Sequence, residues 1–121
     1  MTEALGQPLR LRLTAGQVHD VTQAEALLGE YLAEYVLGDR GYASAAFADW
    51  LEQRGIIPVI PPHPRSQTRQ WYDRHIYKER HVIECFFSKL KQYRRVFTRF
   101  DKLAHRYLGF VYLVSTLIWL R

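Results

Sequence analysis

Cysteine is nearly missing from this sequence: Cys85 stands alone among 121 residues. One thiol cannot close an internal disulfide, so nothing implies an oxidising compartment or a disulfide-stapled scaffold. Acidic residues are in the minority, twelve against seventeen basic ones, leaving a formal charge of +5. That balance favours polyanionic partners, nucleic acid or an anionic membrane surface. Apolar runs of bilayer length are absent. The stretch from Tyr107 to Leu120 has about fourteen residues where a span needs roughly twenty, and it contains Gly109, Ser115 and Thr116. It reads as a buried helix, with no membrane role. No basic start and apolar run mark the N-terminus as a secretory leader, so the cytoplasm is the expected location.

What is present is enough to fold. Hydrophobic residues make up 48% of the chain, which argues against disorder and suits a single domain. Leu5-Gly6-Gln7-Pro8 reads as a turn, and Leu9-Arg10-Leu11-Arg12-Leu13 alternates as a half-buried strand ended by Gly16. Asp20 or Thr22 is placed to cap a helix through about Tyr35, with Ala24, Leu27, Leu28, Tyr31 and Leu32 on one stripe. Tyr35-Val36-Leu37 is a short strand running into Gly38-Asp39. A second helix starts near Ser44, carries Phe47, Trp50 and Leu51, and stops at Gly55. Ile56 to Ile60 reads as a strand whose Pro58 puts it at an edge or an end. Residues 61–72, with three prolines, form an irregular loop. A long helix from about Asp73 to Arg95 and an apolar one from about Leu103 to Trp119 complete the chain. The alternation predicts an α/β fold with helices packed on a sheet.

Two places carry chemistry. Asp39 ends an apolar strand just before a glycine turn, and ligands gather at the carboxyl ends of strands in open α/β sheets. Taken by itself, an aspartate there is more often a cap or turn residue. The second place is the long helix. At about 100° per residue, Tyr77, Arg80, Glu84 and Lys91 fall within roughly 60° of one another, with Ile76, Ile83, Phe87 and Leu90 on the adjoining apolar face. A carboxylate flanked by an arginine and a lysine suits chemistry on a phosphodiester. Mg²⁺ takes carboxylate oxygens and shares substrate phosphate, while arginine and lysine contact phosphates. Tyr77 can position a phosphate or stack on a base. The plain alternative is a solvated helix in which Arg80 and Glu84, four apart, make an ordinary pair.

These residues resemble a known family. Tyr77, Arg80, Glu84 and Lys91 match the signature around the third acid of bacterial insertion-sequence DDE transposases of the insertion-sequence four and five groups. Leu37-Gly38-Asp39-Arg40-Gly41-Tyr42 resembles the segment around the second acid. The stretches Leu13 to Asp20 and Tyr93 to Lys102 are also similar to family sequence. The resemblance implies a ribonuclease H-like catalytic domain over residues 1–121, with two Mg²⁺ or Mn²⁺ ions. It also implies hydrolysis at transposon ends followed by strand transfer into target DNA. Asp39 then corresponds to the second acid and Glu84 to the third, both metal ligands. Tyr77, Arg80, Lys91, Arg94 and Arg95 become DNA-binding or auxiliary residues.

The first acid departs from the pattern. Glu3 stands where the family has an aspartate ending a first strand, and that strand is expected to be missing, as in an N-terminally truncated domain. Glu3 is one methylene longer and is expected on a frayed terminus. The chain alone is therefore expected to be incompetent, either a DNA-binding remnant or an accessory subunit of a split transposase. Other readings are a metal module built on His81 and Cys85, four apart on the helix, and a structural partner using the Tyr107–Trp119 helix against a second copy or an upstream transposase fragment.

Overall fold

The computed structural model describes all residues except Gly16, 68–70 and 98–103, and no side chains at 94–97. The expected strand end at Gly16 and the family-like stretch beyond Phe97 therefore lie outside the described residues. The chain divides into two compact units, Ala15–Arg80 and Met1–Thr14 with His81–Arg121.

The Ala15–Arg80 unit mixes helix and strand. A 3₁₀ turn over Asp20–Gln23 leads into α1, Ala24–Leu28, which buries Ala24 and Leu28. Gly29, at φ 57°, ends α1 well short of Tyr35. The apolar spacing that predicted a longer helix is therefore overridden at one residue. Tyr31 is 37% and Leu32 96% exposed, so neither belongs to a buried stripe. Neither Asp20 nor Thr22 caps the start; the Thr22 hydroxyl instead donates to the His19 carbonyl.

Strands β1, Tyr35–Leu37, and β2, Ile57–Val59, pair in parallel, with Val36 opposite Pro58. Parallel neighbours need a crossover, and α2, Ala45–Gln53, supplies it. Ser44 caps α2 by accepting from the Phe47 N–H at 3.3 Å. Phe47, Ala48 and Leu51 form its buried face, and Gly55 at φ 73° lets the chain return as β2. Leu51 and Val59 are both fully buried. Proline is tolerated in β2 because the pairing bonds run through its neighbours. The Ile57 N–H donates to the Glu34 carbonyl, and the Gly38 N–H to that of Val59. Pro58 thus leaves the outer edge of β2 without a donor at that position.

The second unit is built differently. The turn expected at Leu5–Pro8 lies within a loop closed by a Thr2–Pro8 bridge, by the Glu3 N–H donating to the Gln7 carbonyl and by the Gly6 N–H donating to the Glu3 carbonyl. The Met1 ammonium donates to the Arg10 carbonyl, and burial lowers its pKa. The terminus is thus tied down where fraying was expected. Leu9–Leu13 forms no strand: alternation prepares one face, but a strand also needs a neighbour to pair with. Instead, Tyr112 and Trp119 of α5, Ala104–Trp119, donate to the carbonyls of Leu11 and Pro8. α5 packs on α4, His81–Phe97, around Phe86, Val111, Val114 and Ser115. The Ser115 hydroxyl is satisfied by the Val111 carbonyl at 2.7 Å.

The long helix is not continuous. It comprises α3, Arg74–Tyr77, capped by Asp73, then a 3₁₀ turn over Lys78–Arg80, then α4. A 3₁₀ residue advances about 120° rather than 100°, so three of them add about 60°. Within α4 the buried position is Phe86, while Phe87, expected on the apolar face, is 48% exposed. No helix among the described residues is long and apolar enough to cross a membrane.

Candidate functional site

Asp39 lies two residues beyond β1, where the strand gives way to a 3₁₀ turn over Arg40–Tyr42. Its backbone is extended, and its Oδ1 accepts the Gly41 N–H at 2.9 Å. Gly41 serves by its small size, since a Cβ there would stand 3.0 Å from Asp39 Oδ1. Asp39 is thus a turn-capping aspartate whose carboxylate remains 54% exposed. Capping and ligation, alternatives from sequence, are compatible in this geometry.

Arg80 and Tyr77 come to the same place. Arg80 Nη1 stands 3.9 Å from Asp39 Oδ2, and its guanidinium carbon lies 5.8 Å from the Tyr77 ring centre. Tyr72 meets Tyr77 edge to face at 5.6 Å. Nearby, burial raises the Tyr42 phenol pKa, with help from the negative charges of Asp20 and Asp39. Sequence reasoning missed this electrostatic link between Tyr42, Asp39 and Asp20, because 22 and 3 residues of separation give no periodic signal. It also missed a cavity of about 190 Å³ whose lining includes Tyr42, Glu52, Trp71 and Asp73, and neither Asp39 nor Arg80.

In the other unit, Glu84 sits exposed in the first turn of α4. Lys91, also exposed, follows two turns later on the same face, about 10 Å along the axis. Glu3 Oε1 accepts two backbone N–H groups, from Leu5 at 3.0 Å and Gln7 at 2.9 Å. The side chains of Arg94 and Arg95 lie outside the described residues. His81 and Cys85 are both exposed on α4, and Cys85 is a free thiol. Within neither unit do the described residues gather three His, Cys, Asp or Glu groups into a metal site. Asp39 in one unit and Glu84 in the other are each, taken singly, accessible carboxylates, the ligand type that hard cations such as Mg²⁺ take.

An acid presented just after a parallel strand, with an arginine 3.9 Å away, is thus set in a unit of mixed helix and strand. The chain belongs to the transposase DDE domain family, whose model matches residues 1–119. It is 40% identical, over its full length and 95% of the relative, to the protein of Brucella ovis assigned as transposase for insertion sequence element IS6501. It is 33% identical, over 98% of its length, to the one assigned to IS402 of Burkholderia cepacia, of which it spans 59%. No solved structure gives a significant match.

Proposed function

We propose that this chain acts in DNA transposition as a DDE catalytic domain of ribonuclease H-like fold, cutting phosphodiester bonds at the ends of an insertion sequence and joining the freed 3′-hydroxyl to target DNA. The carrying observation is the family match across residues 1–119, with Asp39 set just past the carboxyl end of β1. Asp39 and Glu84 are the residues that would hold Mg²⁺ or Mn²⁺, with Glu3 at the first-acid position. When bound, two such ions supply Lewis-acid stabilisation of the attacking and leaving oxygens of an in-line displacement.

The remaining residues bind and orient DNA. Arg80 offers a planar fork and Lys91 a point charge to phosphate oxygens. Arg94 and Arg95 extend the basic stretch, and Tyr77 offers a ring for stacking. The formal charge of +5 favours DNA through counterion release, so binding weakens as salt rises. The protein works in the bacterial cytoplasm, on the nucleoid when bound to DNA.

A second reading is favoured by Glu3, whose Oε1 is already committed to two backbone donors. In it the chain binds DNA as an accessory subunit or remnant and cleaves poorly or not at all alone. A Mg²⁺-dependent nicking assay on DNA carrying insertion-sequence ends separates the two. Cleavage abolished by both Asp39→Ala and Glu84→Ala identifies the enzyme. Salt-sensitive binding without cleavage identifies the accessory chain, and cleavage that survives both substitutions overturns the assignment of the acids. Sedimentation across a concentration series tests for a dimer, which a strictly monomeric profile would exclude.

A further inference from the structure

We propose that the cavity at the start of α2 binds one basic side chain, arginine foremost, presented by a protein partner. This role is separate from the metal chemistry assigned to Asp39 and Glu84.

The cavity is lined entirely by the Ala15–Arg80 unit and holds about 190 Å³. Small-molecule sites run to about 300–1,000 Å³, so the space suits a single side chain rather than a nucleotide or a cofactor. Its walls are rings: Tyr42 and Trp71, with Pro61 and Pro62. Proline fixes its own backbone, so part of the shape is set before anything binds. Trp71 is 83% exposed, a large ring that packs little against its own chain and stays open to an incoming group.

Charge selects the ligand. The charged residues lining the cavity are Glu52 and Asp73, both acidic, although the chain carries +5 overall. Among the described residues neither carboxylate stands in an ion pair. Two phenols feel the negative field: Tyr42, raised first by burial and then by Asp20 and Asp39, and Tyr35, raised first by Glu34 and to a smaller degree by Asp73.

An anion finds little else to hold it. α2 and α3 begin at the cavity, yet the Phe47 N–H is taken by Ser44 and those of His75 and Ile76 by Asp73. A DNA base arrives with its phosphates and meets the wrong sign of charge. A guanidinium suits every wall. Its plane stacks on aromatic faces, its N–H groups donate to carboxylates, and its stem lies along apolar surface.

The test is heteronuclear NMR on the full chain, following the Trp71 indole N–H and the backbone amides of Ala43 to Glu52. N-acetyl-arginine methylamide is the probe, and it is expected to shift these signals together and to saturate them. The citrulline analogue, alike in shape and uncharged, should bind severalfold more weakly. Free arginine should also bind more weakly, because its own carboxylate opposes the acids. Glu52→Gln and Asp73→Asn, the latter keeping a capping residue, should each weaken the probe about two- to fivefold. Trp71→Leu should do so by about the same factor. Glu52 and Trp71 are exposed, so their loss leaves the core intact.

No shift up to about 20 mM probe, equal binding of the citrulline analogue, or unchanged affinity in both acid variants overturns the proposal. Tighter binding of free arginine makes this a metabolite site and overturns the partner. A stronger response to deoxycytidine or inorganic phosphate makes it a base or phosphate site, and the proposal fails.

Discussion

The loop after β1 and the turn around Glu3 both fold a carboxylate back onto backbone N–H groups, yet they leave different chemistry behind. Asp39 uses one oxygen for one donor, Gly41, and turns the other toward a cation. Glu3 places two donors, Leu5 and Gln7, on a single oxygen, and its longer side chain lets it close a turn of its own. In both loops a glycine permits the geometry. Gly41 does so by lacking a Cβ beside Oδ1, and Gly6 by adopting φ 87° against Val82. An acid at the right place in the sequence is therefore no guarantee of equal readiness for metal.

The sharpest way to break this comparison is to remove each acid in turn. Asp39→Ala is expected to weaken Mn²⁺ binding about tenfold or more. Glu3→Ala should leave it within about twofold while costing about 1 kcal/mol of stability, read from urea unfolding. Equal losses of Mn²⁺ affinity would show that the two carboxylates do the same work.

The glycines come next. Gly6→Ala forces a Cβ to 3.0 Å from Val82 Cγ1 at positive φ. It should cost about 1–3 kcal/mol in unfolding experiments, with Mn²⁺ affinity unchanged. Gly41→Ala should show the reverse, because the carboxylate must move by tenths of an ångström: Mn²⁺ affinity falls severalfold while stability changes by less than about 0.5 kcal/mol. A stability loss at Gly41 matching that at Gly6 would remove the distinction.

Much of the Ala15–Arg80 unit was legible because its signals are local. Ser44 capping α2, Phe47 and Leu51 on one face and Gly55 at the end are all within ten residues or so of one another, and the structure keeps each. Asp39 was legible for the same reason, as an acid after a short apolar strand. Elsewhere, long-range or single-residue effects decided. Leu9–Leu13 alternates but has no strand beside it, and Gly29 cuts α1 where the periodicity continued. The 3₁₀ turn at Lys78–Arg80 interrupts the helix expected from Asp73 to Arg95, and Phe86 rather than Phe87 is the buried residue of α4. No residue type announces such a turn. The proximity of Arg80 to Asp39 spans 41 positions, and only the family signature hinted that both belonged to one site.

Two smaller effects refine the picture on the Asp39 side. Ser44→Ala deletes the cap of α2 and should cost about 1 kcal/mol in thermal unfolding; no loss would mean that backbone geometry alone starts the helix. The smallest concerns alkaline pH. The Tyr42 pKa is raised in the folded state, first by burial and then by Asp20 and Asp39. Its contribution to stability is whole below pH about 10 and is lost as pH climbs through the raised folded value. In a phenolate absorbance titration, Tyr42→Phe should remove one late-ionising group, and Asp39→Asn should bring that group earlier. A titration unchanged by both substitutions would detach Tyr42 from the loop's charge.

The bonds from Tyr112 to Leu11 and from Trp119 to Pro8 join positions 101 and 111 residues apart. Pro8 and Leu11 leave the ribosome early, yet the groups that fasten them are made almost a whole chain later. The segment that carries Glu3 must therefore wait, untethered by α5, while the Ala15–Arg80 unit has already been synthesised. Its docking closes loops of 101 and 111 residues, the kind of non-local contact whose closure entropy must be met before the contact forms. Translation arrested before Tyr112 would leave the Asp39 loop able to form and the N-terminal turn without its clasp.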